Sequence, residues 1–247
     1  FGALDMIVND GLVAAISDNA GIFLFLVLLG IIVAAIFVLL SQLTVMSLAG
    51  YVYPNVYGSA AAQSTASLLG TVVMLIVCAP FASKLAAKFG KKELAVASSI
   101  CSALVWLVCL IWRPASVWGF VACYILANIG MGFFNTIIWA MITDVIDDAE
   151  VRSGIREDGT IYSVYSFARK LGQAFSSGLV GALLGIIGYT EATAFDPAVT
   201  RGIFNMACIA PIIGFVCIVL ALVFLYPLNK KKVEENVAAL AARRNNK

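Results

Sequence analysis

The feature that most limits the fold of this chain is a long stretch, from Asn19 to Ser83, in which no side chain is charged. A membrane-spanning helix needs roughly 20 predominantly apolar residues, so this stretch has room for two such helices. Over all 247 residues, 62% are hydrophobic and 12% are charged, which is more apolar surface than a water-soluble domain can bury. The sequence therefore predicts an all-α integral membrane protein.

Charged loops and turn residues divide the chain into six predicted spans. Their approximate limits are 22–48, 59–82, 94–112, 116–142, 160–188 and 203–226. Residues 1–20 have three aspartates and none of the basic residues that begin a signal peptide, so we interpret them as the end of a loop that began upstream. Residues 228–247 form a polar tail with the composition of a short amphipathic helix. The simplest interpretation is that this chain is a piece of a longer protein.

Basic residues are concentrated on one side of the six predicted spans. The four lysines of residues 84–92, Arg152, Arg156 and the tail lie on the side of both chain ends, whereas Arg113 and Arg201 lie on the other. By the positive-inside rule, both ends of the segment are predicted to be cytoplasmic. We expect a multi-pass protein of the plasma membrane, which in a bacterium is the inner membrane.

Composition also argues against several classes of function. A net charge of +2 gives no reason to expect a nucleic-acid partner, and histidine, the commonest general base and metal ligand, is absent. The six cysteines are scattered through apolar segments without a CxxC spacing, which is typical of buried thiols rather than of a metal site or a disulfide. No nucleophile–base pair or phosphate-binding glycine loop occurs in the spans, so we expect neither an enzyme nor a cofactor bound within this segment.

Two cations, Arg169 and Lys170, lie near the middle of the fifth predicted span. Lys170 is about 16 Å from the predicted start of this helix, in a hydrocarbon core about 30 Å thick. A charge at that depth costs at least ~2.5–3.5 kcal/mol, so it must face protein or water and is a candidate functional group. The alternative is that the helix starts later and both cations snorkel to the interface. Arg169 points about 100° away from Lys170 and could instead pair with the acidic loop.

Lys170 lies at the centre of a polar stripe whose residue spacings of three and four match one face of a helix. Its members are Ser163, Ser166, Lys170, Gln173 and Ser177. We interpret this stripe as the wall of a water-filled cavity. The glycines of the same span predict close packing against neighbouring helices. They are Gly172, Gly178, Gly181 and Gly185.

The fourth predicted span has a second polar stripe, formed by Asn128, Asn135 and Trp139. Asparagine amides and an indole ring suit hydroxyl-rich or aromatic-stacking ligands. Hydrogen bonding between helices is an equally good interpretation. Tyr51, Tyr53 and Tyr57, in the turn after the first span, are predicted to form an interfacial belt.

The loop predicted between the fourth and fifth spans, DVIDDAEVRSGIREDG, concentrates carboxylates around two arginines. We interpret it as a cytoplasmic ion-pair network that gates or latches the helices. Its predicted members are Asp144, Asp147, Asp148, Arg152 and Arg156, together with Lys91 and Lys92 of the earlier basic loop. Clustered carboxylates can also bind a divalent metal, but the interleaved arginines would compete for them.

Two segments resemble a known family. FASKLAAKFGKKE resembles the motif between helices 8 and 9 of the major facilitator superfamily, although Ser83 and Ala87 replace its glycine and aspartate. More specifically, WAMITDVIDDAE followed by GIREDGTIYSVYSFARKLGQAFSSGLVGALLGIIGY is similar to helix 10, the loop and helix 11 of the glycoside–pentoside–hexuronide:cation symporters, the melibiose-carrier group. The resemblance covers essentially the whole chain. It implies the C-terminal six-helix bundle of a twelve-helix transporter, built from two inverted three-helix repeats.

The resemblance implies symport of a sugar, glycoside or uronide with Na⁺ or H⁺, by alternating access between two six-helix halves. Lys170 matches the lysine that lies between the sugar and cation sites of melibiose-carrier-like proteins, and Ser166 matches a sugar-contacting hydroxyl. Asn135 falls near a sugar-contacting position but departs from the residue found there. The coupling cation and most sugar ligands would belong to the N-terminal half, where an acidic group could pair with Lys170. Membrane lipid, that missing half and a small sugar are the expected partners.

The amino-acid sequence alone also allows other functions. The same scaffold could carry a substrate that is not a sugar. The chain could instead be a self-associating half-size protein or a scaffold that transports nothing. Two copies would place two Lys170 side chains in one cavity without an intramembrane carboxylate, which like-charge repulsion disfavours.

Overall fold

The computed structural model describes residues 20–245, with side chains from Phe23 onward. In this range the chain folds into helices joined by short turns. The helices are Ala20–Tyr51 (α1), Ala60–Val73 (α2), Ala79–Phe89 (α3), Lys91–Trp112 (α4), Val117–Ser153 (α5), Asp158–Ile186 (α6), Pro197–Leu220 (α7) and Lys230–Asn245 (α8). Three π-helical turns extend α1, join α2 to α3 and extend α7; they are Val52–Val56, Met74–Cys78 and Ala221–Leu225. The predicted N-terminal loop lies outside the described residues except for Ala20.

Five helical units are long and apolar enough to cross a membrane. They are Phe23–Val56, Ala60–Phe89, Lys91–Trp112, Val117–Ser153 and Pro197–Leu225. These units confirm the predicted all-α membrane fold. The fifth predicted span is helix α6, whose 29 residues are enough to cross a membrane. Its serines and two cations make α6 more polar than the other five units, so its crossing stays a prediction.

Helices α1, α4 and α7 are the central elements of the bundle. Helix α1 packs against α6 on one side and α7 on the other, while α4 packs between α5 and α7. The rod formed by α2 and α3 packs on the outer side of α5, and direct contact between α5 and α6 is slight. The bundle therefore has α6 at one margin and the α2–α3 rod at another, with α5 bordering both.

Glycines allow two of these helix pairs to pack with their backbones close together. A Cβ atom at Gly172 of α6 would lie 2.6 Å from the carbonyl oxygen of Ile36 in α1, and a Cβ at Gly130 of α5 would lie 2.5 Å from that of Ser98 in α4. Small residues at membrane helix contacts commonly serve this purpose. The packing prediction is right for Gly172 and wrong for three other glycines of α6, which have no described atom within 4 Å of a built Cβ. These are Gly178, Gly181 and Gly185.

The stretch predicted as an acidic loop is mostly helical. Helix α5 continues to Ser153 and ends at Gly154, whose positive φ of 75° is a left-handed conformation that glycine adopts without strain. Glutamate, alanine and arginine favour a helix, and Arg152 pairs with Asp148 one turn earlier, so the backbone stays helical beyond the apolar segment. The basic loop is also shorter than predicted, because Gly90 alone separates α3 from α4.

The predicted tyrosine belt is wrong for Tyr53, which is 1% exposed. Its ring packs edge-on against Phe120 at a centroid distance of 5.5 Å. Tyr57 donates a hydrogen bond to the carbonyl oxygen of Pro114 at 3.0 Å. Two of the three tyrosines therefore hold the turn after α1 against the turn and helix that follow α4.

Candidate functional site

All five members of the predicted α6 stripe are exposed in this bundle. Helix α6 buries its other face, including Tyr165, Ala168 and Gly172, against α1. Lys170 forms no ion pair with any residue between 20 and 245. The structure therefore places Lys170 on the outer face of the bundle, with Ser166 and Gln173 beside it on the same stripe.

The α5 stripe is only partly free to meet a ligand. The side-chain amide of Asn135 donates to the Gln42 side-chain oxygen of α1 at 3.4 Å, while Asn128 donates to the Tyr124 carbonyl oxygen of its own helix at 2.8 Å. Trp139 is 47% exposed. Asn135 thus makes the interhelical hydrogen bond that was the alternative interpretation, and Trp139 presents an open aromatic face.

A small cavity of about 60 Å³ lies beside this stripe, between α1, α4, α5 and α7. Gln42 and Asn128 supply polar groups to its wall, and Trp106, Tyr124 and Phe215 supply aromatic ones. A cavity of this size with polar groups in an otherwise mostly apolar wall accommodates water or a small hydroxyl-bearing group. Gln42 therefore connects the cavity to Asn135, a link that the sequence did not predict.

Four residues bridge the gap between α5 and α6, and we call them the α5–α6 cluster: Trp139, Tyr162, Tyr165 and Arg169. Trp139 packs edge-on against Tyr165 at 5.3 Å and lies 6.5 Å from Tyr162, as measured between ring centroids. The Arg169 guanidinium lies 5.5 Å from the Trp139 ring and donates to the Tyr165 hydroxyl at 3.2 Å. The alternative in which Arg169 pairs with the acidic segment is therefore wrong, because Arg169 points toward α5.

At one end of the bundle, Gly90, the α5–α6 connection and α8 meet, and we call this the charged end. The Lys91 ammonium group lies 2.6 Å from Asp144 Oδ1 and also donates to the Ala140 carbonyl oxygen at 3.3 Å. Asp144 is 5% exposed, so this pair joins the start of α4 to the C-terminal third of α5 in a protected setting. Lys92, also predicted for the network, is 3% exposed.

Arg156 joins the end of α5 to the start of α6. Its guanidinium nitrogens lie 2.9 Å from carboxylate oxygens of Asp147, Glu150 and Asp158. Hydrogen bonds to Glu150, Asp147 and Asp158 raise the pKa of the Arg156 guanidinium above its ordinary value. The arrangement closes the short connection between the two helices with opposite charges.

Asp148 is fully buried and links α5 to the C-terminal helix. One carboxylate oxygen accepts from Arg152 Nε at 2.8 Å, and the other accepts from the Asn236 side-chain amide of α8 at 2.9 Å. Lys230 donates to the Ala87 carbonyl oxygen at the end of α3, at 2.9 Å. The predicted polar tail is therefore a helix, as its composition indicated, and it is docked on the charged end, which the sequence did not predict.

The predicted charged residues are thus brought together as three separate clusters, centred on Asp144, Asp148 and Arg156. Their arginines and lysines already contact the carboxylates. Among the described residues, no group of three or more histidine, cysteine or acidic side chains could hold a metal ion. A role in gating stays a prediction, as do the proposed substrate-binding roles on α5 and α6.

Comparison with known proteins shows what family the bundle represents. The family model for "MFS/sugar transport protein" matches residues 21–230. The chain belongs to this family. It is 29% identical over 180 residues to the "Glucuronide carrier protein homolog" of Escherichia coli K12, which is 72% of this chain and 38% of that protein. It is also 34% identical over 152 residues to "Uncharacterized symporter YjmB" of Bacillus subtilis 168, covering 62% of this chain and 33% of that protein.

A third relative of this MFS chain is the "Putative sulfoquinovose importer" of Escherichia coli K12, 29% identical over 177 residues, or 72% of this chain and 37% of that protein. The chain therefore spans between a third and two fifths of the length of the relatives it matches. These relatives confirm the resemblance to the glycoside–cation symporters. Because they are carriers, importers and symporters, they also confirm that the chain is a transporter-family protein and not an enzyme.

Proposed function

We propose that this chain is the C-terminal half of a cation-coupled sugar, glycoside or uronide symporter that works by alternating access. The observation on which this rests is the exposed polar stripe of α6 with Lys170 at its centre. A charged side chain at membrane depth must face water or a partner. The stripe meets that requirement if it lines a cavity shared with a second six-helix half. The presence of such a half is supported by the relatives, because the match covers only 38% and 33% of their lengths.

In this proposal an acidic group of the N-terminal half pairs with Lys170. Attraction between the two charges offsets their desolvation only while both are present. Binding of Na⁺ or H⁺ at the acid would weaken the pair, and this weakening would couple the cation to movement of the substrate. We assign the coupling cation to the other half, because α6 has no acidic residue after Asp158 and the α5 carboxylates Asp144, Asp147 and Asp148 pair with basic side chains.

Substrate would bind between the α6 stripe and the open face of Trp139. Ser166 and Gln173 offer hydrogen-bonding groups on the stripe, and an aromatic face packs well against the apolar face of a sugar ring. Relatives named for a glucuronide and for sulfoquinovose support a sugar or sugar acid as substrate. Asn135 and Asn128 would act at the inner edge of this site, beside Gln42.

We place the charged end on the cytoplasmic side of the plasma membrane, because basic residues of α3, α4 and α8 gather there. In this proposal the Asp144, Asp148 and Arg156 clusters hold the cytoplasmic ends of α4, α5, α6 and α8 together. Their ion pairs are the elements that would have to rearrange as the half-transporters rock against each other.

The test is cation-driven uptake by the native protein in proteoliposomes, under an imposed Na⁺ or H⁺ gradient. Lys170→Ala should lower uptake at least 10-fold, and Lys170→Arg should also impair it because a guanidinium differs in size and geometry from an ammonium group. Lys232→Ala is the matched control, since Lys232 contacts the exposed Glu235 on α8. Unchanged uptake and unchanged cation dependence in Lys170→Ala would contradict the proposed role.

A further inference from the structure

Arg169 is a second cation near the middle of α6, and the proposed coupling mechanism does not use it. Its guanidinium donates one hydrogen bond to the Tyr165 hydroxyl at 3.2 Å and lies over the rings of Trp139 and Tyr165, at 5.5 and 5.7 Å from their centroids. No carboxylate within the described range pairs with it. Arg169 is half-buried, and a half-buried arginine without an anion is costly, because two aromatic faces compensate for only part of its charge.

Acidic residues of the same region are too far away to serve as its anion. Arg169 lies eleven residues after Asp158, which corresponds to about 16 Å along a helix. The carboxylates of the Asp144, Asp148 and Arg156 clusters are already engaged by Lys91, Arg152 and Arg156. Of the five N–H donors of a guanidinium, one donates to the Tyr165 hydroxyl, and the other four can donate to the oxygens of a ligand.

Arg169 and Lys170 point in different directions, so they can meet different partners. Successive residues of a helix are about 100° apart. Lys170 lies on the exposed stripe, whereas Arg169 lies between that stripe and the buried face, on the side of Trp139. Lys170 therefore faces the other half of the transporter, and Arg169 flanks the gap between α5 and α6 where the substrate is proposed to bind.

We propose that Arg169 is a specificity-determining residue that binds an acid group on the transported sugar. The fork of a guanidinium matches the oxygens of a carboxylate or a sulfonate, and Trp139 provides a face for the ring that bears this group. The substrate class is then an acidic sugar rather than a neutral one. This inference rests on the proposed function and deepens it.

The first measurement is binding and uptake of matched sugar pairs by the native protein in proteoliposomes. Each pair consists of a methyl hexuronide and the corresponding neutral methyl hexoside, in the gluco, galacto and manno series. At least one acid is expected to bind 10-fold or more tightly than its neutral counterpart, since a charge-assisted hydrogen bond is lost in the neutral sugar. Equal or tighter binding of the neutral members would overturn the inference while leaving the proposed function intact.

Two variants then locate the acid group. Arg169→Gln should abolish the preference for the acid by lowering its affinity about 10-fold or more, while changing the affinity for the neutral sugar less than about 3-fold. Lys170→Gln should lower uptake of both sugars without changing their ratio of affinities. If Arg169→Gln lowers both affinities alike, Arg169 is structural and the inference is wrong.

The comparison of acidic with neutral sugars uses the wild-type protein, so the inference can be tested even if the Arg169→Gln variant misfolds. Tyr165→Phe offers a milder change, because it removes only the hydroxyl that orients the guanidinium. It should reduce the preference for the acid several-fold and leave neutral binding unchanged. If the protein transports none of these sugars, the proposed function is refuted, and the inference that rests on it is refuted as well.

Discussion

Replacing Asn236 with alanine should loosen α8 from the charged end without unfolding the bundle. The Asn236 side-chain amide donates to a carboxylate oxygen of Asp148 at 2.9 Å, and the two residues are 3% and 0% exposed. A hydrogen bond to a charged group contributes about 1.5–3 kcal/mol, and its loss leaves one buried carboxylate oxygen without this donor. Arg152 still holds the other oxygen.

The effect should appear as faster amide hydrogen exchange in α8. Exchange of a protected amide reports the free energy of local opening, and each 1.4 kcal/mol corresponds to a factor of ten. We therefore expect the amides of Lys230–Asn245 to exchange about 10- to 100-fold faster in the variant, as measured by mass spectrometry on the purified native protein. Lys230 and Arg243 still contact backbone carbonyls of α3 and α5, so exchange should remain slower than in a free peptide.

Two further variants are expected to change the exchange rate of α8 less and more than Asn236→Ala does. Glu235→Gln removes the surface pair with Lys232, whose side chains are 51% and 37% exposed, and should change exchange less than about 3-fold. Asn236→Asp places a second carboxylate beside Asp148, so repulsion should accelerate exchange more than alanine does. Unchanged protection of α8 in Asn236→Ala would refute the reasoning, and so would an equal loss of protection in every helix of the bundle.

Two other predictions concern packing and charge inside the bundle. Gly172→Ala should destabilise the protein by about 1–3 kcal/mol and lower its unfolding temperature, because the new methyl group would lie 2.6 Å from the Ile36 carbonyl oxygen. Gly178→Ala should not lower the unfolding temperature, because no described atom lies within 4 Å of a Cβ atom at this position. An equal loss of stability in both variants would show that the close approach of α6 to α1 is not the cause. Lys91→Ala should cost about 2 kcal/mol in a denaturation assay, because it leaves the buried Asp144 carboxylate uncompensated. Adding Asp144→Asn should restore most of that loss, and a further drop would contradict the assignment.

Features that depend on the local chain were predictable from the sequence. The spans follow from hydropathy, and the exposed stripe of α6 follows from helical periodicity, because both depend on neighbours within a few residues. The ends of helices were less predictable. Hydropathy marks the apolar segment, whereas α5 runs on to Ser153 through residues that are charged and also favour a helix.

Features that depend on the arrangement of helices were not predictable from one sequence. Trp139 and Arg169 are thirty residues apart, and their contact depends on how α5 and α6 pack. The role of glycines was likewise decided by orientation, since Gly172 faces α1 and Gly178 faces open space. The signal that could have found the α5–α6 cluster is the spacing of Tyr162, Tyr165 and Arg169, which puts their side chains on neighbouring positions of one helix.

The position of the α5–α6 cluster bears on how substrate binding could be linked to the contacts at the charged end. Helices α5 and α6 touch little directly, and two groups of residues hold them together: the α5–α6 cluster, and Arg156 with its three carboxylates. Both groups draw on α5, since Trp139 lies eight residues before Asp147 on one continuous helix. A substrate that contacts both Trp139 and Arg169 would change the position of α6 relative to α5. Arg156 links the same two helices at the charged end. Substrate binding and the release of the contacts at the charged end should therefore depend on each other through the relative tilt of α5 and α6.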